Sequence, residues 1–271
     1  MVIAAFTLVS CSSQVLPAST PTSDAAILRL YTTTATMRLA NDLTLSYAQL
    51  YPSVSFDVLV SNYEGVVERA LGEEHSYFLT NHLPAVETLP LWAAPVGQDA
   101  IAVIAHPQNP VSGLTLRQVR GIYRGEITRW RDVGGADDGE IIVISREAGS
   151  GTRAEFERLV MGARGISASA LIAPSSAAVV TSVAREPGAI GFVSMSYLDS
   201  SVRPLAIEGT SLTAESVSGN TYPLRTTLFI AGGEEPTLED YRMFMGWVQS
   251  PAGQVVVARS HAPLLLPEAG E

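Results

Sequence analysis

The chain has 271 residues, 46% of them hydrophobic, and a formal net charge of −10, which is apolar material for one large core or two modest ones. So acidic a balance excludes nucleic acid as a partner, because phosphate-backbone binding needs a basic surface. The single cysteine excludes an intrachain disulfide, and beyond the first residues no apolar run reaches the roughly 18 residues that span a bilayer.

In chain order, Met1–Ser10 is apolar and runs into Leu8-Val9-Ser10-Cys11, which resembles the lipobox of a bacterial lipoprotein signal. The expectation is acylation of Cys11 and a signal remnant over residues 1–11, although the charged n-region usual ahead of such a run is missing. Residues 12–24 (SSQVLPASTPTSD) are rich in Ser, Thr and Pro, have no periodic apolar face, and read as a flexible tether. The body then alternates strand-like and helix-like segments, which predicts an α/β architecture. Ile27–Tyr31 and Ser55–Val60 read as strands, with apolar residues from Leu39 to Leu50 at helical spacing between them and a second helix over Val66–Leu71. The stretch up to Leu83, with His75 and His82, is loop-like. Ile101–Ile104 is an apolar strand, and Leu114–Tyr123 is helical with Thr115 as its cap. Ile141–Ile144, Ile190–Val193 and Thr227–Ala231 are further strands; Glu155–Met161, Ala177–Ala184 and Thr237–Gln249 are further helices.

The stretch richest in chemistry is Ser145-Arg-Glu-Ala-Gly-Ser-Gly-Thr-Arg-Ala-Glu-Phe156. A strand, a Gly/Ser/Thr turn and a helix N-terminus bring backbone N–H groups and hydroxyls to one point, where aligned peptide dipoles favour an oxyanion. Arg146 adds a planar fork of donors. No lysine follows Gly149 or Gly151, so this is not the phosphate loop of nucleotide hydrolases. Ser150 lies directly between the two glycines, so it does not form a nucleophile elbow and reads as a hydrogen-bonding residue. Thr33, Thr34 and Thr36 repeat the arrangement at the first strand-to-helix junction. Two such turns facing each other across a cleft between lobes, at strand carboxyl ends, would surround a small anion with neutral donors.

These residues resemble a family. SREAGSGTRAEF, the run Gln98–Gly135, GAIGFVS at Gly188–Ser194, YPLRTTL at Tyr222–Leu228 and FMGWVQSPAGQ at 244–254 are similar, in order, to the phosphate-binding subunits of ABC-type phosphate importers. The resemblance implies a two-lobed type II periplasmic-binding-protein fold, with residues 25–97 and 222–271 in the first lobe and 98–221 in the second. Its ligand contacts carry over to Thr33, Thr34 and Ala35, to Arg146, and to Ser150, Gly151 and Thr152. The second contact turn falls on Val60–Gly65 with Ser61 as candidate, and the third on Leu79–Leu83 with Thr80 and Asn81. Asn81 stands where the family often has an aspartate that accepts the proton of hydrogen phosphate. An amide can present either its oxygen or its NH2, so a proton-free anion such as sulfate would be tolerated better. Ala148 replaces an acid that braces the arginine in some relatives; Glu147 serves instead or Arg146 is less constrained.

The leading expectation is therefore a lipid-anchored, extracytoplasmic, monomeric solute-binding protein. It captures phosphate by lobe closure for an ABC permease complex in the membrane, with no cofactor, no metal and no catalysis. The alternatives are a binder of sulfate or molybdate, an anion sensor for a signalling partner, and a phosphate-ester hydrolase. Against the last, the four histidines are scattered and no His/Asp/Glu group has metal-ligand spacing. Trp92, Trp130 and Trp247 read as packing anchors. The arginine strip Arg117, Arg120, Arg124, Arg129 and Arg131 reads as a solvated face, with permease docking as the weaker reading.

Overall fold

The computed structural model describes residues 26–85, 88–135 and 139–264; the expected signal remnant with Cys11 and the tether lie outside them. Strand β1 (Ala26–Thr33) runs into helix α1 (Met37–Leu50), β2 (Val54–Ser61) into α2 (Tyr63–Gly72), and β3 (Ser76–Thr80) follows. The long β4 (Trp92–Ala105) leads to β5 (Gly113–Leu114) and α3 (Leu116–Tyr123). Next come β6 (Ile142–Arg146), α4 (Gly151–Phe156), β7 (Leu171–Ala173), α5 (Ser176–Arg185) and β8 (Ala189–Ser194). Short strands β9 (Arg203–Pro204) and β10 (Ala206–Ile207), then α6 (Ala214–Ser218), β11 (Arg225–Gly232), α7 (Glu239–Gln249) and α8 (Pro251–Val257) complete the described chain.

The strands lie in the order β2-β1-β3-β11-β4-β8-β6-β7. β1, β2 and β3 are mutually parallel, as are β6, β7 and β8. β4 joins the two parallel sets. From Trp92 to Ala100 it pairs antiparallel with β11, and from Ile101 to Ala105 with β8. The result is the two-lobed α/β architecture expected from the sequence, with one strand threading both halves.

Parallel strands covered on both faces are buried throughout and lose the apolar/polar alternation of a half-exposed strand. β3 (SYFLT) and β8 (AIGFVS) are buried at every position. That explains why the stretch before Leu83 reads as a loop: Ser76 and Thr80 break a short run that never alternates, and the structure replaces the loop with the central strand β3. Over one face of the first sheet, α1 and α7 set Tyr47 edge-on to Phe56, Phe244 and Trp247 at centroid distances of 6.0, 5.1 and 5.2 Å. Over its other face, Val66 and Ala70 of α2 pack near Tyr31 and Phe78. In the second half Phe156 and Phe192 stack at 4.1 Å with Tyr123 tilted against both. The helix expected over Glu155–Met161 begins earlier, at Gly151, and passes into a π-helical turn over Glu157–Met161. Arg120 Nε and Arg124 Nη2 donate to the carbonyls of Val160 and Met161 at that turn. Those two arginines therefore finish a helix end rather than forming a free basic strip.

Candidate functional site

Turns from both halves meet at one place. The turn between β1 and α1 brings Thr33, Thr34 and Ala35; the turn after β6 brings Arg146, Ser150, Gly151 and Thr152. These seven residues line one small pocket together with Asn62 and Tyr63, which open α2. Both lie in the Val60–Gly65 turn expected to make contact, although Ser61 is the candidate named there. Ser61 ends β2 one residue before the lining, and Thr80 Oγ1 exchanges bonds with the backbone of His82. Asn81 is fully buried behind Thr152.

The threonine-rich turn is a hydroxyl network. Thr36 Oγ1 donates to the Leu79 carbonyl at 2.8 Å and lies 2.9 Å from the hydroxyls of both Thr32 and Thr33. A hydroxyl has one proton, so Thr36 accepts from Thr32 and Thr33, and those protons are spent inside the turn. Thr34 is different: its Oγ1 accepts from Arg146 Nη2 at 3.1 Å, which leaves its own proton for a guest. Thr36 gives α1 no side-chain cap, so the helix keeps N-terminal N–H groups without helical partners, aimed towards the turn.

Arg146 is buried to 1% exposure. Glu147 grips it with two charge-assisted bonds, Nε to Oε2 at 2.9 Å and Nη2 to Oε1 at 2.8 Å, while Nη1 donates to Ser176 Oγ at 3.1 Å. Glu147 thus braces the arginine where Ala148 cannot. The pair is neutral overall, so an anion here meets directed donors rather than a bare charge. Ser150 caps α4 by accepting from Arg153 N, and Arg153 in turn holds the Arg146 carbonyl at 2.9 Å.

Both glycines of the turn are needed for close approach. A Cβ on Gly149 would stand 2.9 Å from Asn62 Nδ2 and 3.0 Å from Glu64 Oε2; one on Gly151 would stand 3.2 Å from His82 Cβ. Each of those neighbours belongs to the other half of the molecule. The halves also bond directly: Tyr63 N donates to the Gly149 carbonyl at 2.9 Å, Arg38 Nη1 to the Ser196 carbonyl at 2.7 Å, and Tyr197 Oη to the Thr34 carbonyl. His82 Nδ1 meets Glu155 Oε1 at 2.7 Å. Burial alone would raise the Glu155 pKa, but the hydrogen bonds from His82 and Arg158 outweigh it and hold the carboxyl below its ordinary range. Burial pushes the Tyr63 hydroxyl up to about 12, so this lining residue stays protonated.

Larger hollows lie elsewhere. One at the start of β3 is lined by Glu73, Glu74, His75 and Glu234, an acid-rich wall that repels anions. Among the described residues no group of three or more His, Cys, Asp or Glu side chains is placed to hold a metal ion, and no helix is long and apolar enough to cross a membrane.

Residues 18–251 match the model of the PBP superfamily domain. The phosphate-binding protein PstS of Bacillus subtilis is 33% identical over 126 residues, 46% of this chain and 41% of that one. The PstS of Pseudomonas aeruginosa PAO1 is 29% identical over 193 residues, 64% of this chain and 60% of that one. The aligned chain thus spans less than two thirds of either curated relative. A solved structure covers more: a putative phosphate ABC transporter substrate-binding protein from Clostridium perfringens, with bound phosphate. It superposes with a TM-score of 0.83 at 28% identity, over 89% of this chain and 100% of that one.

Proposed function

The chain belongs to the PBP superfamily, and from that membership and the cleft's donor set we propose that it is a solute-binding protein for inorganic phosphate. It hands its ligand to an ABC permease. The observation that carries this is the Arg146–Thr34 bond: a buried, carboxylate-braced guanidinium of one half reaches a hydroxyl of the other. A tetrahedral anion inserted at that bond accepts from both groups, from Ser150 and Thr152, and from the N–H groups of the two turns. The lobes are residues 25–97 with 222–271, and 98–221, and their closure is driven by the anion's tighter binding to the closed state. No bond of the ligand is broken. The protein works outside the cytoplasm as a monomer, held at the membrane by a lipid on Cys11.

Isothermal titration of the folded body with phosphate, sulfate and molybdate tests the reading. Phosphate is expected to bind at micromolar concentration or below, which corresponds to about 8 kcal/mol or more, with sulfate weaker. The reading is sunk if phosphate fails to bind below about millimolar, which corresponds to about 4 kcal/mol, or if Arg146→Ala binds it unchanged.

A further inference from the structure

Asp99 is wholly buried at the centre of β4, where that strand passes from one half to the other. Its Oδ1 accepts from Ala100 N at 2.8 Å, Ser194 Oγ at 2.8 Å and Met195 N at 3.2 Å. His261 Nε2, also buried, lies 3.9 Å from the same oxygen. Its Oδ2 accepts from Asn81 Nδ2 at 3.2 Å. Asn81 belongs to the first half, and its Nδ2 also reaches Thr152 Oγ1 of the second half at 3.4 Å. So a carboxylate outside the pocket is linked through one amide to a hydroxyl in its lining.

We propose that Asp99 is a positioning residue that acts through Asn81, behind the lining, to set the donor and acceptor sense of the pocket at Thr152. The inference rests on the cleft being an oxyanion site. A carboxylate only accepts, so the amide must turn its NH2 towards Asp99; the reverse orientation would oppose two oxygens. With Nδ2 placed there, its second proton goes to Thr152 Oγ1. That hydroxyl then accepts from Asn81, and its own proton is left to donate into the pocket. Asn81 Oδ1 is fixed as an acceptor; it is buried without a partner and sits 3.4 Å from where a Cβ of Gly151 would stand. An unpaired buried acceptor is costly, and the hydroxyl of a protonated oxyanion would satisfy it. Alone, an asparagine could offer either face; beside Asp99 it can offer only one.

The test is Asp99→Asn, titrated with inorganic phosphate and with sulfate, with Ser194→Ala as the control that removes a different Asp99 partner. In Asp99→Asn the amide of Asn81 is free to turn its NH2 to the pocket. The ratio of phosphate to sulfate affinity should then fall by roughly tenfold, while Ser194→Ala keeps the wild-type ratio. A folded Asp99→Asn protein with an unchanged ratio, both anions weakening equally, overturns the proposal and leaves Asp99 merely structural. Neutron diffraction of the deuterated wild-type protein decides the matter if the variant does not fold. Deuterons of Asn81 Nδ2 directed at Asp99 and Thr152, with the Thr152 deuteron directed into the pocket, support it; a Thr152 deuteron aimed at Asn81 refutes it. If the wild-type protein binds neither anion, the oxyanion reading falls, and the deuteron positions still decide the role of Asp99.

Discussion

Gly151 shows how much one absent side chain decides. Its pro-Cβ direction faces His82 Cβ at 3.2 Å, Asn81 Oδ1 at 3.4 Å and Tyr63 Cβ at 3.5 Å, all across the cleft. The sequence made the GSGT stretch visible as a turn before a helix. It could not show that the glycines are there for the opposite half, because close approach is a property of two distant segments. The role of Asn62 was hidden in the same way: an asparagine ahead of a helix reads as a cap, and it is one, accepting from Gly65 N at 2.9 Å. Its place in the lining follows only from the packing of α2. Gly151→Ala should therefore tax closure rather than folding. A methyl forced into packed surroundings costs typically about 1–3 kcal/mol, and the open form relieves that strain. The expected result is phosphate affinity lowered by roughly ten- to hundredfold with the ligand-free melting temperature nearly unchanged. A variant that melts much earlier yet binds normally would place the glycine's role in the fold instead.

At the scale of elements, β3 and α4 carry one of the contacts that join the halves beside the pocket. His82 follows the end of β3, and Glu155 lies on α4, where Arg158 one turn on supports it with bonds of 3.0 and 2.6 Å. The sequence placed both histidines of this region in a loop and gave them no role. The physical reason is that β3 is buried on both faces and so shows no alternation from which a strand end could be read. His82 comes from across the cleft and Arg158 from the same helix end, and together they hold the folded carboxyl below its ordinary range against the burial that would raise it. A group lowered on folding contributes stability that is fully present above its unfolded pKa and is lost as pH falls through the lowered value. Stability should therefore fall through the acid side of the carboxylate range, and Glu155→Gln should flatten that part of the dependence. At neutral pH the variant should lose about 1.5–3 kcal/mol of stability, the worth of a hydrogen bond to a charged group. Denaturant unfolding followed from pH 7 downwards measures it. An acid slope that persists unchanged in Glu155→Gln would assign the dependence to another group.

For the whole molecule, the alternation of strand and helix was enough to reach an α/β reading, because each segment's period reflects its own burial; the division into two lobes came from what the family resemblance implies. What could not be read was the path of β4, whose Trp92–Gly97 half resembles a loop and whose Ile101–Ala105 half resembles a core strand. One strand crossing between halves has two environments and no single pattern. Charge gives the last consequence at this scale. The chain carries −10, while the pocket's own cation, Arg146, is neutralised by Glu147 at 2.8 Å. A phosphate anion therefore approaches against a repulsive long-range field and is held by short-range donors once inside. Salt screens the first and scarcely touches the second, since the Debye length shrinks from about 30 Å at 0.01 M to about 8 Å at 0.15 M while buried bonds are little screened. Stopped-flow measurement over that range should show the association rate constant rising several-fold with the dissociation rate constant flat. This is the reverse of the behaviour of a binding site that steers its ligand with a basic surface. An association rate that falls with added salt would mean that a local positive potential at the cleft mouth outweighs the net charge, and that the exposed arginines beyond Arg146 take part in capture.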